Sequence, residues 1–439
     1  MTNAEAAYPD RRQAWWLIVI LFCASIVSVF DRGILNVVVD PVRADLGLTD
    51  VQIGLLQGLA FGLFYATVGL PLGLTADRWA RRGLVVGGIT VWSLATVAGG
   101  FAQSFGAMFA ARLLVGLGEA ALAPATISLI ADLFPPEKRG RPISFFLTGQ
   151  AVANGLSIST TSLLTEAAAT GHFAGVPVLG TLAPWRVAFV CCGLAGFIVV
   201  AALLTTREPP RRGAILAPDL GRQALVSLRF LGSKAGLFVP LYLGFALSFL
   251  AAYGVGNWAP TMLTREFGAT RMQIGQWLGP ISVAFSVVGP TIGGVLIDRY
   301  ARRKVTLARF YLLAIAPLCV IPSALAVFAP RLMPAIVLVA SLGAFVAVIG
   351  TTVMSILQSM VPPSSRGFAV ALTGLVNTLI GSTSAPLLIS LVTERIYQNP
   401  AKVGFAIPTV VVPALLAASA MFLVAGAAAR RAMRDPQVS

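Results

Sequence analysis

Apolar stretches of about twenty residues recur along the whole chain, each long enough to cross the ~30 Å hydrocarbon core of a bilayer as a helix. Lipid offers no partner to a backbone N–H or C=O, so a spanning element must satisfy its own hydrogen bonds. The strict apolar–polar alternation of a membrane barrel is absent, which leaves helices. Hydrophobic residues make up 57% of the 439 and charged residues 11%, the balance of a polytopic membrane protein. The first stretch, Ala14 to about Val39, lacks a small-residue cleavage site and reads as a retained span. Spans near 14–38, 50–74, 84–103, 105–133, 142–168, 184–206, 238–263, 270–297, 304–328, 332–360, 367–393 and 405–429 predict an all-α membrane protein with twelve transmembrane helices.

The charges orient it. With the N-terminus inside, 23 of the 32 Lys and Arg fall in cytoplasmic segments and seven in outer ones, leaving Arg32 and Arg112 within spans. Short basic loops facing anionic lipid also explain the net charge of +15 without nucleic acid as a partner.

An internal repeat divides the chain. GLTADRWARR at 73–82 is echoed by GGVLIDRYARR at 293–303, with Asp77 and Asp298 221 residues apart, and LFPPEKR at 133–139 by MVPPSSR at 360–366. Two pseudo-symmetric six-helix halves, 1–206 and 238–439, joined by a cytoplasmic linker over 207–237, are the natural reading. Repeats of this kind place a substrate site where the halves meet.

The stretch GLTADRWARR resembles the loop signature of the major facilitator superfamily, and its weaker copy lies where that family has one. A finer resemblance, to a bacterial homologue of the spinster branch, is carried by the Asp31-Arg32 pair, by RLLVGLGEA from Arg112 to Ala120, and by Pro124. It implies proton-linked movement of lysophospholipids or sphingolipid-like amphiphiles by alternating access. In the loop motif it implies a cytoplasmic latch of Asp77, Arg78 and Arg81, with Asp132 as the partner of Arg81. Ser359 stands where the second half would need the matching acid, so the latch is expected to be asymmetric.

The residues support a site independently. Charged groups inside a membrane are expensive and usually functional. Arg112 and Glu119 are seven apart, on nearly one face of the fourth helix, and Asp31 and Arg32 on the first helix lie at about the depth of Arg112. If the two helices face each other, as the resemblance implies, an Asp31–Arg112 pairing fits this geometry, and the two carboxyls should titrate differently. Asp31 and Glu119 are the candidate proton carriers. Arg32 and Arg112 are their switchable partners or the ligands of an anionic headgroup, which guanidinium grips in a bidentate way. The competing reading is a set of ion pairs that only fixes helix packing. Gly116, Gly118 and Pro124 make the fourth helix a candidate bending element, although close packing serves equally well as their reason.

The second half is poor in buried charge. Its candidate cavity residues are Phe245, Phe249, Tyr253 and Asn257 on the seventh helix, Thr351, Thr352 and Ser355 on the tenth, and Asn377 on the eleventh. A charged wall in one half and an aromatic wall in the other suit an amphiphile better than a sugar. Cys23, Cys191, Cys192 and Cys319 match no metal spacing and read as small apolar residues, and His172 reads as a solvated loop residue. No phosphate-binding glycine loop is present, so neither ATP nor a cofactor is expected, and no catalytic dyad suggests an enzyme. The leading expectation is thus a proton-coupled, monomeric lipid carrier of a bacterial inner membrane. The alternatives are a proton-linked carrier of organic anions or amphiphilic drugs, and a carrier-like membrane sensor.

Overall fold

The computed structural model describes residues 8–76, 80–211, 220–302 and 306–434. Among these, nine helices are long and apolar enough to cross a membrane. The other three expected spans are helical too. Gly140–Ala169 is a continuous helix rich in Ser and Thr, and two are interrupted, one between Asp50–Gln57 and Leu59–Ala76, the other by a π-helical turn at Ile274–Leu278 before Gly279–Arg302.

The chain sorts into two units. The first comprises Met1–Gly47 and Ala60–Ile215. Its core packs Ile18, Leu21, Trp92, Val115, Leu129 and Phe146. Helix Arg81–Gly100 is wedged between Phe105–Glu119 and Pro184–Leu204, and small residues allow the approach. A Cβ on Gly193 would stand 2.9 Å from both Ser93 O and Val97 N. The fourth span breaks directly after Glu119, with Ala120 and Ala121 separating Phe105–Glu119 from Leu122–Leu133. Gly116 and Gly118 lie in the last turn before that break and also abut neighbouring backbone, so bending and close packing coincide there.

The second unit comprises Leu48–Leu59 and Leu216–Ser439. Ala235–Phe267 packs along Val403–Arg434, around Phe238, Leu241, Phe245, Ile349 and Phe422. By sequence order, residues 48–59 open the second span of the first half; by packing they belong here. Gly54 lies against helix Ser384–Leu391, where a Cβ would stand 2.8 Å from Pro386 O. The buried Asp50 takes both Nη atoms of Arg265, at 2.9 and 3.0 Å, and Arg265 also donates to Pro400 O at 2.7 Å. Glu394 accepts the Val51 N–H at 2.9 Å. Removing one partner of a buried pair strands the other charge, at a cost of about 3 kcal/mol. Arg265→Ala is therefore expected to speed deuterium uptake over residues 49–57 while leaving the first unit's helices protected. Unchanged exchange in that stretch would show the pair to be dispensable.

The repeat is legible in fine geometry. Arg139 Nε donates to Phe134 O at 2.9 Å and Arg366 Nε to Val361 O at 3.0 Å, each closing a short 3-10 turn. Thr49 with Gln52, and Thr270 with Gln273, form two capping boxes at the 221-residue spacing of the loop motif.

Candidate functional site

In the first unit four charged side chains converge between helices Arg11–Val37 and Phe105–Glu119. Asp31, Arg112 and Glu119 are buried, while Arg32 is about one-third exposed. The ion pair joins Arg32 to Glu119, with Nε 2.9 Å from Oε2. Ser28, one turn before Arg32, donates to the same Oε2 at 2.7 Å and accepts from Arg32 Nη2 at 3.3 Å. The Arg32 guanidinium lies 5.0 Å from the centroid of Phe61, a contact suited to a delocalised cation.

The expected Asp31–Arg112 pairing is corrected. Arg112 spends its two Nη atoms on main-chain carbonyls, Asp31 O at 2.7 Å and Arg32 O at 3.1 Å. Side chains at i and i+1 of a helix diverge by about 100°, so only one of Asp31 and Arg32 can meet the fourth span head-on. Arg32 does so. Asp31 turns away, and both its oxygens are buried without a hydrogen bond of normal geometry, with Thr96 beside it. Glu119 Oε1 is likewise buried and unbonded. The cluster thus holds one carboxylate shared by a cation and a hydroxyl, and another with unused acceptor capacity.

At the linker end of the same unit, the buried Arg81 forms an ion pair with Asp132. Sequence reasoning missed a third member, Glu208 from the linker. One of its oxygens accepts from Arg81 N and Nε, both at 3.0 Å, and the other from Arg82 N at 2.7 Å. Arg82 donates to Leu203 O and Leu204 O at 2.9 Å. A carboxylate thus caps the positive end of Arg81–Gly100 while an arginine caps the negative end of Pro184–Leu204. No short-range signal marks Glu208, because its partners lie more than 120 residues away. Asp77, Arg78 and Asp298's side chain lie outside the described residues. In the second half, Ser359 accepts from Arg309 at 3.3 Å. Glu208→Ala is expected to lower stability by about 1–2 kcal/mol, a cap plus a half-exposed ion pair, read as a lower melting temperature. Equal melting would leave Asp132 as the sufficient partner.

In the second unit Phe245, Phe249 and Tyr253 form a ladder, with centroids 4.5 and 6.3 Å apart. Phe249 lies within reach of two other helices. Cβ atoms built on Gly350 and Gly381 would meet its ring carbon at 3.9 Å and its Cβ at 3.4 Å. Asn377 begins a π-helical segment, Asn377–Ser382, and Gly381 faces its Oδ1, which is buried without a hydrogen bond. Such wide turns are frequent at functional sites because they leave main-chain and side-chain acceptors unsatisfied. The other candidates are less free. Thr351 and Thr352 bond back to carbonyls of their own helix, and Asn257 O accepts from Gln57 at 3.4 Å. Ser355 is half-buried on the Leu332–Met360 helix. His172 is exposed and contacts Thr170. The four cysteines are free thiols.

Two units of apolar helices long enough to span, a repeated arginine turn and buried charge among them are the features of a multi-pass membrane carrier. A family profile described as Major Facilitator Superfamily matches residues 21–386, and the chain belongs to that superfamily. Several of the relatives it is similar to are spinster proteins. It is 29% identical to human protein spinster homolog 1 over 420 residues, 87% of this chain and 74% of that protein. It is 26% identical to an MFS-type efflux pump of Mycolicibacterium smegmatis over 400 residues, 90% and 89% of the two chains. In fold it is similar to a crystallised bacterial homologue of the human lysosomal transporter spinster, with TM-score 0.78, 24% identity, and 97% and 98% of the chains covered.

Proposed function

We propose that this transporter moves a lysolipid or sphingolipid-like amphiphile across a bacterial inner membrane, coupled to protons through Glu119 and Asp31. The observation that carries the reading is the Arg32–Glu119–Ser28 cluster around the buried Glu119, with the buried carboxyl of Asp31 one residue from Arg32. An anionic headgroup that drew Arg32 off Glu119 would leave a carboxylate held by one hydroxyl, and uptake of a proton would then remove a stranded charge from low dielectric. Binding and protonation are thereby linked: each favours the state in which the ion pair is open. Arg112, pinned to the main chain, positions the Asp31-Arg32 turn for that exchange. The Phe245–Phe249–Tyr253 ladder offers an acyl chain the apolar partner that a sugar would not use. Arg81, Asp132 and Glu208 serve as the latch on the cytoplasmic side.

A second reading, efflux of amphiphilic drugs, is favoured by the mycobacterial relative. Proteoliposomes with an imposed pH gradient separate the two. The expected result is movement of a fluorescent lysophospholipid that is accelerated by the gradient and collapsed by a protonophore. Transport of ethidium without the lysolipid would replace the first reading with the second, and lysolipid movement indifferent to the gradient would remove proton coupling.

A further inference from the structure

The cytoplasmic linker is expected to be a polar connection, yet residues 220–233 form a helix with apolar side chains on both its inner and its open side. Inward it buries Leu231 in the second unit's core and Ser227, whose hydroxyl donates to Ser365 Oγ at 2.9 Å. Gln223 on the same side donates to Ser364 O at 3.0 Å. These bonds fasten the helix to the Pro363–Ser365 turn of the second repeat motif. On the opposite arc Leu225, Val226 and Leu228 are 48%, 54% and 50% exposed.

Three observations identify what covers that arc. Arg222 and Arg229 are exposed on it, three residues before and four after Leu225, so cationic groups flank the apolar side chains within one helical face. One residue beyond the helix, the membrane-spanning helix Ala235–Phe267 begins, and its Val239 and Leu243 continue the exposed apolar surface. Lys234 at the junction lies over Phe230, its Nζ 5.2 Å from the ring centroid, as a snorkelling lysine does at a headgroup boundary. A helix at the foot of a span, apolar and basic on its open face, fits the cytoplasmic leaflet, where lipid phosphates are anionic and acyl carbons begin just beneath them.

We propose that Leu220–Ser233 is an interfacial helix lying in the cytoplasmic headgroup layer, with Leu225, Val226 and Leu228 at the acyl boundary and Arg222, Arg229 and Lys234 on anionic lipid phosphates. The lipid surface is then tied mechanically, through Ser227–Ser365, to the repeat-motif turn that precedes helix Arg366–Val376. The assignment is independent of the substrate carried.

The test uses the full chain with its four cysteines replaced by serine and a single environment-sensitive fluorophore on Leu225→Cys, in nanodiscs of phosphatidylcholine with and without phosphatidylglycerol. A fluorophore on Glu137→Cys, exposed in another cytoplasmic turn, reports water. With phosphatidylglycerol, the label at 225 is expected to shift to the blue, to be quenched by lipids spin-labelled near the headgroup, and to lose quenching by iodide. Arg222→Gln with Arg229→Gln is expected to abolish the dependence on phosphatidylglycerol. Hydrogen exchange of residues 220–233 in the unmodified protein is expected to slow in the anionic discs, which guards against a label that perturbs the helix. Three results overturn the proposal: a label in water in both lipids, insertion indifferent to both phosphatidylglycerol and the arginines, or burial that grows with protein concentration in detergent and so assigns the face to a second copy.

Discussion

Glu119→Gln is expected to abolish acceleration of transport by a pH gradient, bringing the driven rate down to the undriven one, while substrate exchange at equal pH persists. Glutamine keeps the volume and the acceptor that Ser28 and Arg32 use, but it cannot take up or release a proton. The buried pair turns the carboxylate's charge into a condition on Arg32, so a permanently neutral side chain frees the guanidinium in every state. Arg32→Ala tests the other arm. It leaves Glu119 in low dielectric with a single hydroxyl donor at 2.7 Å, and losing an ionic partner at a largely buried site costs about 2–3 kcal/mol, a rate or affinity loss on the order of 30- to 100-fold. Arg32→Lys is expected to recover only part of that loss, because a lysine cannot keep both the ion pair to Glu119 and the flat contact with Phe61. Gradient-driven transport by Glu119→Gln at the parent's rate would remove Glu119 from coupling, and the cluster would become a packing device.

Gly118→Ala is expected to destabilise the first unit strongly. Its Cβ would stand 2.6 Å from Gly88 O, 2.8 Å from Trp92 N and 3.0 Å from Trp92 Cβ, and the first two are backbone atoms that cannot rotate away. A Cβ built on Gly88 would in turn stand 2.7 Å from Gly118 O. Relief requires helices Arg81–Gly100 and Phe105–Glu119 to separate, which would disturb the packing of Trp92 and the placement of Glu119 one residue on. Overpacking of this kind costs about 3 kcal/mol, so a drop in melting temperature and in monodisperse yield is expected. Gly106→Ala, in the same helix with open space around it, is the control and is expected to be near neutral. Equal melting of the two variants would show that the helix pair can spread, and that the close approach there is incidental.

Much of this site was legible because the membrane makes charge conspicuous. Asp31, Arg32, Arg112 and Glu119 stand out against apolar runs, and helical spacing alone sets their depths. The pairing among them was not legible. Choosing between Asp31–Arg112 and Arg32–Glu119 depends on the rotation of one helix about its axis, and a few tens of degrees exchange neighbouring side chains. Glu208 shows the same limit: nothing near it in sequence distinguishes it from any linker carboxylate, and its bonds exist only because the start of helix Arg81–Gly100 meets it. The aromatic ladder was readable from a spacing of four along one helix. The π turn at Asn377 was not, since one extra residue in a turn leaves the apolar pattern almost unchanged.

What the sequence determined by itself is whatever a bilayer reads one segment at a time, length and apolarity, together with the duplication that sets motifs 221 residues apart. These are local transfer free energies, additive along the chain. The tertiary structure decided the rest: Arg32–Glu119 rather than Asp31–Arg112 as the ion pair, residues 48–59 packed on helix Ser384–Leu391, and Ser227 of the linker helix bonded to Ser365. In each case two or more segments competed for one partner. Such contests are settled by which backbones can approach and which polar atoms can be satisfied once they do, and neither quantity belongs to a single segment.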